Sequence, residues 1–122
     1  MSLLFSAPFA SRALRALVAP TLVLTASLFG TAAHAADEAA QMALGKKLFT
    51  TSTPACALCH TLKDAGAEGA IGPVFNDLQP DAARVSKALH DGLGAMPSFK
   101  ATLTEEQIAA LALYVSKASR LP

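Results

Sequence analysis

The spacing of apolar positions predicts three helices. After Thr104, apolar residues fall at Ile108, Leu111, Ala112 and Val115, the stripe of a helix that buries one face. Thr104 as N-cap and Gln107 three residues on form a capping box, which fixes where that helix starts. A second helix is predicted from about Asp81 to His90, with Val85, Ala88 and Leu89 at helical spacing and Gly92 as its stop. The third, earliest in the chain, is "DEAAQMALGKKLFTTS", with acids at its start and Lys46 and Lys47 towards its end, the order the helix dipole favours. Ala40, Leu44 and Phe49 roughly share one of its faces, and Pro54 ends it. No run alternates convincingly with period two, and there is no internal repeat or low-complexity linker. The expected fold class is all-α, three main helices joined by long loops rich in glycine.

The beginning of the chain follows a different pattern. Arg12 and Arg15 precede an uncharged apolar run from Ala16 to Gly30, and "AAHAAD" then offers Ala33 and Ala35 as a small-x-small cleavage site. That order is the signature of a secretory signal peptide. A membrane anchor is the competing reading, but the run falls short of the roughly 20 residues of a bilayer span and Pro20 interrupts it. The expected organisation is a cleavable signal peptide over residues 1–35 and one domain over 36–122, exported to the periplasm and without stable membrane insertion.

Composition narrows the function classes. The part from Ala36 onward holds all nine acids against eight Lys and Arg, so it has no concentrated basic footprint and is not expected to bind nucleic acid. Its aromatics are Phe49, Phe75, Phe99 and Tyr114, with no Trp. A domain this small usually needs a staple beyond its own core. The irregular stretch from Leu62 to Pro80 points the same way, because a long structureless connection in a compact fold has a function or wraps something.

Both cysteines and a histidine lie together in "CALCH", as Cys56, Cys59 and His60. A zinc site would have to draw on these and His90, but adjacent Cys59 and His60 do not easily reach one tetrahedral ion, and no second CxxC exists. A thiol–disulfide module sets its CxxC within a βαβ pattern, for which this chain has no strands. An inert disulfide would close only a tiny loop and leave His60 unexplained. C-x-x-C-H is the attachment sequence of c-type haem. Its two thiols, one helical turn apart, add to the two vinyl groups, and the histidine beside them becomes the proximal iron ligand.

Three residues compete for the sixth position. Met42 lies on the first helix, where a core role is the simpler reading, and His90 lies near a helix end, where an imidazole meets the C-terminal dipole. Met96 sits in "GLGAMPSF", a loop with Gly92 and Gly94 before it and Pro97 after it, and has no helical stripe to belong to. Met96 opposite His60 would give the Met/His ligation that raises a haem's potential.

"GKKLF", "CALCHT", "GPVF" and "GAMPSFKATLTEEQIAALALYV" together resemble the class I c-type cytochromes of the small bacterial kind, over about Gly45 to Ser119. The resemblance implies three to five helices around one covalent haem c, with Cys56 and Cys59 as thioether residues and His60 and Met96 as axial ligands. It implies that the first and last helices cross, bringing Gly45 and Phe49 near Tyr114, and that the carbonyl of Pro73 accepts a hydrogen bond from His60. "CALCHTLKDAGAEGAIGPVF" and "LQPDAARVSKALHDGLGAMPSF" resemble more narrowly the haem c subunit of periplasmic sulfite dehydrogenases. In those, a separate molybdenum-cofactor subunit oxidises sulfite and passes the electrons on.

The function expected from this is single-electron transfer, without catalysis of its own. A free-standing carrier to a terminal oxidase is the alternative partner assignment. A haem sensor with an open iron site is the alternative of another class, distinguished by rapid carbon monoxide binding, and a thiol module would be distinguished by two titratable thiols. Ile71, Val74, Leu89 and Leu93 are candidates for the haem walls. Ala57, Leu58 and the Met96 loop are candidates for partner docking, with Lys63 and Lys100 at the rim.

Overall fold

The computed structural model describes residues 27–122, with side chains from His34 onward, so most of the segment expected as a signal peptide lies outside the described residues. Helix α1 runs Ser27–Thr51, α2 Phe75–Leu78, α3 Ala82–Asp91 and α4 Glu105–Ala118. Among the described residues no helix is long and apolar enough to cross a membrane.

Helix α1 begins well before the predicted start at Asp37. Its extra turns run through "TAAHAA", and alanine is the residue with the highest helix propensity, so nothing local stops the helix there. The other two long helices have the predicted ends. The side chain of Asp81 accepts from the Arg84 amide at 2.7 Å to start α3, and Gly92, at φ +73°, ends it. For α4, the Thr104 hydroxyl accepts from the Gln107 amide at 3.2 Å while the Gln107 side chain accepts from the Thr104 amide at 2.9 Å.

The core lies where α1 crosses α4. Phe49, Ile108, Leu111, Tyr114 and Val115 are almost fully buried there, and the Phe49 ring meets Tyr114 and Phe75 edge-on at centroid distances of 6.0 and 6.1 Å. Gly45 makes the close crossing possible, since a Cβ at that position would lie 2.3 Å from the Ala110 carbonyl oxygen and 2.4 Å from Cβ of Tyr114. Helix α3 packs on α4 through buried Val85 and Leu89.

The stretch from Leu62 to Pro80 has more structure than its composition predicts. Strands β1 (Thr61–Leu62) and β2 (Ala67–Glu68) pair antiparallel, Thr61 opposite Glu68, and α2 follows. Side chains then tie this segment to the end of the chain. Asn76 accepts from the Lys63 amide at 2.9 Å and donates to the carbonyls of Ser119 and Leu121, each at 3.4 Å. Arg120 donates to the Gln79 carbonyl at 3.0 Å. The Tyr114 hydroxyl, on α4, donates to the Asp64 carboxylate at 2.7 Å, and Lys46, on α1, lies 3.1 Å from the same oxygen. These ties hold the far side of the loop to the α1–α4 crossing and leave its near side free to form a wall.

Candidate functional site

Pro54 follows the end of α1, and Cys56–Leu58 then form one 3-10 turn. The amides of Cys59 and His60 both donate to the Cys56 carbonyl, at 3.1 and 2.9 Å, so both sulfurs and the imidazole arise from a single turn. The Cys59 carbonyl in turn accepts from the amides of Ile71 and Gly72, at 3.0 and 2.7 Å, which pulls the segment 71–73 across the histidine. A Cβ on Gly72 would lie 2.4 Å from the imidazole Cε1, so a side chain here would displace the ring.

His60 is thereby held on two sides. Its Nδ1 is 3.1 Å from the Pro73 carbonyl oxygen. A carbonyl only accepts, so Nδ1 carries the proton and Nε2 keeps its lone pair. The ring also stacks on Phe75, with centroids 4.4 Å apart and planes inclined by 15°. Both cysteine side chains are half-buried, and burial pushes the Cys56 thiol up from its ordinary value, against the effect of the Ser52 hydroxyl 3.8 Å away.

Met96 reaches the same place from the other end of α3. Its amide and carbonyl both pair with those of Leu93, each at 3.0 Å, forming a tight closed loop beyond Gly92. Phe99, nearly fully buried, donates its amide to the Leu89 carbonyl at 2.7 Å, and the Ser98 hydroxyl donates to the His90 carbonyl. The loop is therefore fastened back onto the last turn of α3.

Between these parts lies a cavity of about 600 Å³, lined by Cys56, Cys59, His60, Pro73 and Met96 among others. Its size is within the roughly 300–1,000 Å³ of cofactor pockets. Two thiols, an imidazole nitrogen with a free lone pair and a thioether, on otherwise mostly apolar walls, are a donor set suited to a haem held at two edge carbons and on both faces. The other two ligand candidates are elsewhere. His90 is bound at both nitrogens, Nδ1 to the Ser86 carbonyl at 2.8 Å and Nε2 to the Glu105 carboxylate at 2.9 Å, and Met42 packs against the hydrophobic core.

Of the expected wall residues, Ile71 and Leu93 line the cavity. Leu89 instead faces the protein core and is 2% exposed, and Val74 lies outside the lining. Their helical or loop position alone did not fix which way they point. Sequence reasoning missed Phe75, Pro80, Arg84 and Val85 as lining residues. For Arg84 and Val85 a signal existed, because with Ala88 they share a face of the predicted helix over 81–90. Lys63 and Lys100 are exposed and outside the lining, and the cations that do line the cavity are Arg84 and Lys87.

Comparison with known proteins agrees with this geometry. Residues 40–115, more than half of the chain, match the family described as cytochrome c oxidase, cbb3-type, subunit III. The chain is 34% identical over 115 residues to a cytochrome c6 of Picosynechococcus, covering 81% of this chain and 88% of that one. A chloroplastic cytochrome c6 of Chlamydomonas reinhardtii is 33% identical over 107 residues, covering 79% of this chain and 67% of that protein. The crystal structure of the c-type cytochrome SorU from Sinorhizobium meliloti superimposes with a TM-score of 0.63 at 50% identity, covering 65% of this chain and 91% of SorU. The chain belongs to this family of c-type cytochromes, electron-transfer proteins with a class I cytochrome fold that carry one covalently attached haem c.

Proposed function

We propose that the protein is a periplasmic mono-haem cytochrome, released from a signal peptide after Ala35, that accepts single electrons from a molybdenum-containing sulfite-oxidising partner. Cys56 and Cys59 would hold the haem through thioether bonds, and His60 and Met96 would ligate its iron. The observation that carries the site assignment is that all four residues line one mostly apolar cavity. The partner assignment is supported by the resemblance of the runs around "CALCHT" and "LQPDAARV" to the haem subunit of sulfite dehydrogenases, and by the 50% identity with SorU.

When bound, the haem supplies a one-electron couple between ferrous and ferric iron. The chain's own residues set how easily that couple turns over. The Pro73 carbonyl fixes the tautomer of His60 and raises the basicity of Nε2, as carbonyl partners of ligating histidines do. Stacking on Phe75 and the contact with Gly72 stop the ring from rotating. The paired backbone bonds with Leu93 fix the loop that carries Met96 at the cavity, so its thioether would be held ready as an iron ligand and would leave no open site for a small ligand. Apolar walls exclude water, and a rigid dry site changes little between the two oxidation states. Leu58, 68% exposed on the turn that bears the two cysteines, offers an apolar landing area for a redox partner.

Two experiments test this. Met96→Ala should retain covalent haem, lower the reduction potential, and bind carbon monoxide quickly when reduced; an unchanged spectrum and potential would remove Met96 from the iron. Purification without tags from the periplasm of the native host should bring down a molybdenum-containing sulfite-oxidising subunit. Recovery with a terminal oxidase and no molybdenum would favour the free-standing carrier instead.

A further inference from the structure

The cavity is mostly apolar, yet three charged residues of α3 line it: Arg84, Lys87 and Asp91. They lie at successive turns of one helical face, with Ala88 between them. Two of the three neutralise each other, since Lys87 Nζ is 2.6 Å from the Asp91 carboxylate. The third is left over. Asp81, the nearest acid in sequence, spends its side chain on the backbone amide of Arg84 rather than on the guanidinium. Among the described residues no carboxylate pairs with the Arg84 side chain, although the chain elsewhere pairs Lys46, Lys87 and Lys117.

An unmatched guanidinium on the wall of a cavity that takes a haem has a chemical counterpart in that haem. The porphyrin carries two carboxylates, its propionates, and Arg presents a planar fork of donors that matches a carboxylate with two parallel hydrogen bonds.

We propose that Arg84 anchors a propionate of the haem and so acts as a positioning residue that holds the potential up. This rests on the haem reading of the cavity. The sign follows from charge: oxidation adds a positive charge at the iron, and an ionised propionate left without its cation stabilises that charge. Removing Arg84 therefore favours the ferric state.

The test uses the matured, haem-loaded full chain with Arg84→Gln and Arg84→Lys. Two quantities are read: the midpoint potential, and the propionate carboxylate bands in the infrared difference spectrum between oxidised and reduced protein. Arg84→Gln should have a lower potential and displaced carboxylate bands. Arg84→Lys, which keeps the charge and loses the fork, should restore most of the potential while the bands remain displaced. Wild-type potential and wild-type bands in Arg84→Gln would overturn the proposal. If Arg84→Gln does not mature, wild-type bands in Arg84→Lys overturn it equally. Failure of the underlying haem reading looks different, since the wild-type protein itself would then be exported without colour.

Discussion

At Gly45 the helix crossing leaves no room for a side chain. Replacing it by alanine adds one methyl group that would sit 2.3 Å from the Ala110 carbonyl oxygen and 2.4 Å from Cβ of Tyr114. Ordinary contacts to such atoms are more than 1 Å longer, and neither atom is the tip of a flexible side chain. The two helices must therefore move apart, and Phe49, Leu111 and Tyr114 lose packing with them. Overpacking of this kind costs about 1–3 kcal/mol, and a rigid backbone obstacle belongs at the upper end. Alanine also improves helix propensity over glycine by about 1 kcal/mol, which offsets part of the loss. The net expectation is a destabilisation of about 2 kcal/mol, or a Tm lowered by roughly 8–16 °C for a domain of this size. The assay is denaturant and thermal unfolding of the holoprotein followed by far-ultraviolet circular dichroism. Ala43→Gly, two residues away on an exposed position of the same helix, is the companion variant, expected to lose about 1 kcal/mol from propensity alone. A Gly45→Ala protein as stable as wild type, or more so, would refute the reasoning.

Three further outcomes follow from particular contacts. Tyr114→Phe removes the bond to Asp64 and should cost about 1.5 kcal/mol, the lower range for a hydrogen bond to a charged group. That bond, with Lys46 behind it, holds the Asp64 carboxyl below its ordinary value, so its stabilisation is present above the usual carboxylate range and is lost as pH falls through the depressed value. The gap between wild type and Tyr114→Phe should therefore narrow in acid, and a gap independent of pH would contradict the assignment. Thr104→Ala breaks the capping box of α4 and should cost about 1 kcal/mol in an unfolding titration, with no change in the haem spectrum. Cys59→Ser should strongly reduce the yield of mature holoprotein on export, measured as covalent haem per chain, and normal yields would mean one thioether suffices.

How much of this could be read in the sequence depended on how local each signal was. The limits of α3 and α4 are written in residues within a turn of the boundary, Asp81, Gly92, Thr104 and Gln107, and they appear where the pattern puts them. The prediction for α1 rested on the acidic pair Asp37 and Glu38, whereas the alanines before them, the best helix formers, extend the helix back to Ser27. Strands of two residues are too short to show a period, and β1 and β2 are held by the surrounding ties rather than by propensity. The CxxCH motif compresses two sulfurs and an imidazole into five positions, which is why that half of the site was legible. The role of Phe75 was not legible because it depends on which way its segment faces, and that is decided by α4 and residues 119–121 through Asn76 and Arg120.

The α1–α4 crossing joins residues far apart in sequence, Gly45 against Ala110 and Tyr114. Contacts so distant in sequence form late, because closing the intervening loop must precede any gain from them. Synthesis runs from the amino end, so α1 has no partner until α4 has been made. Until α4 docks, the core at the crossing is unmade, so resistance to proteolysis should rise only when the second helix of the pair is in place.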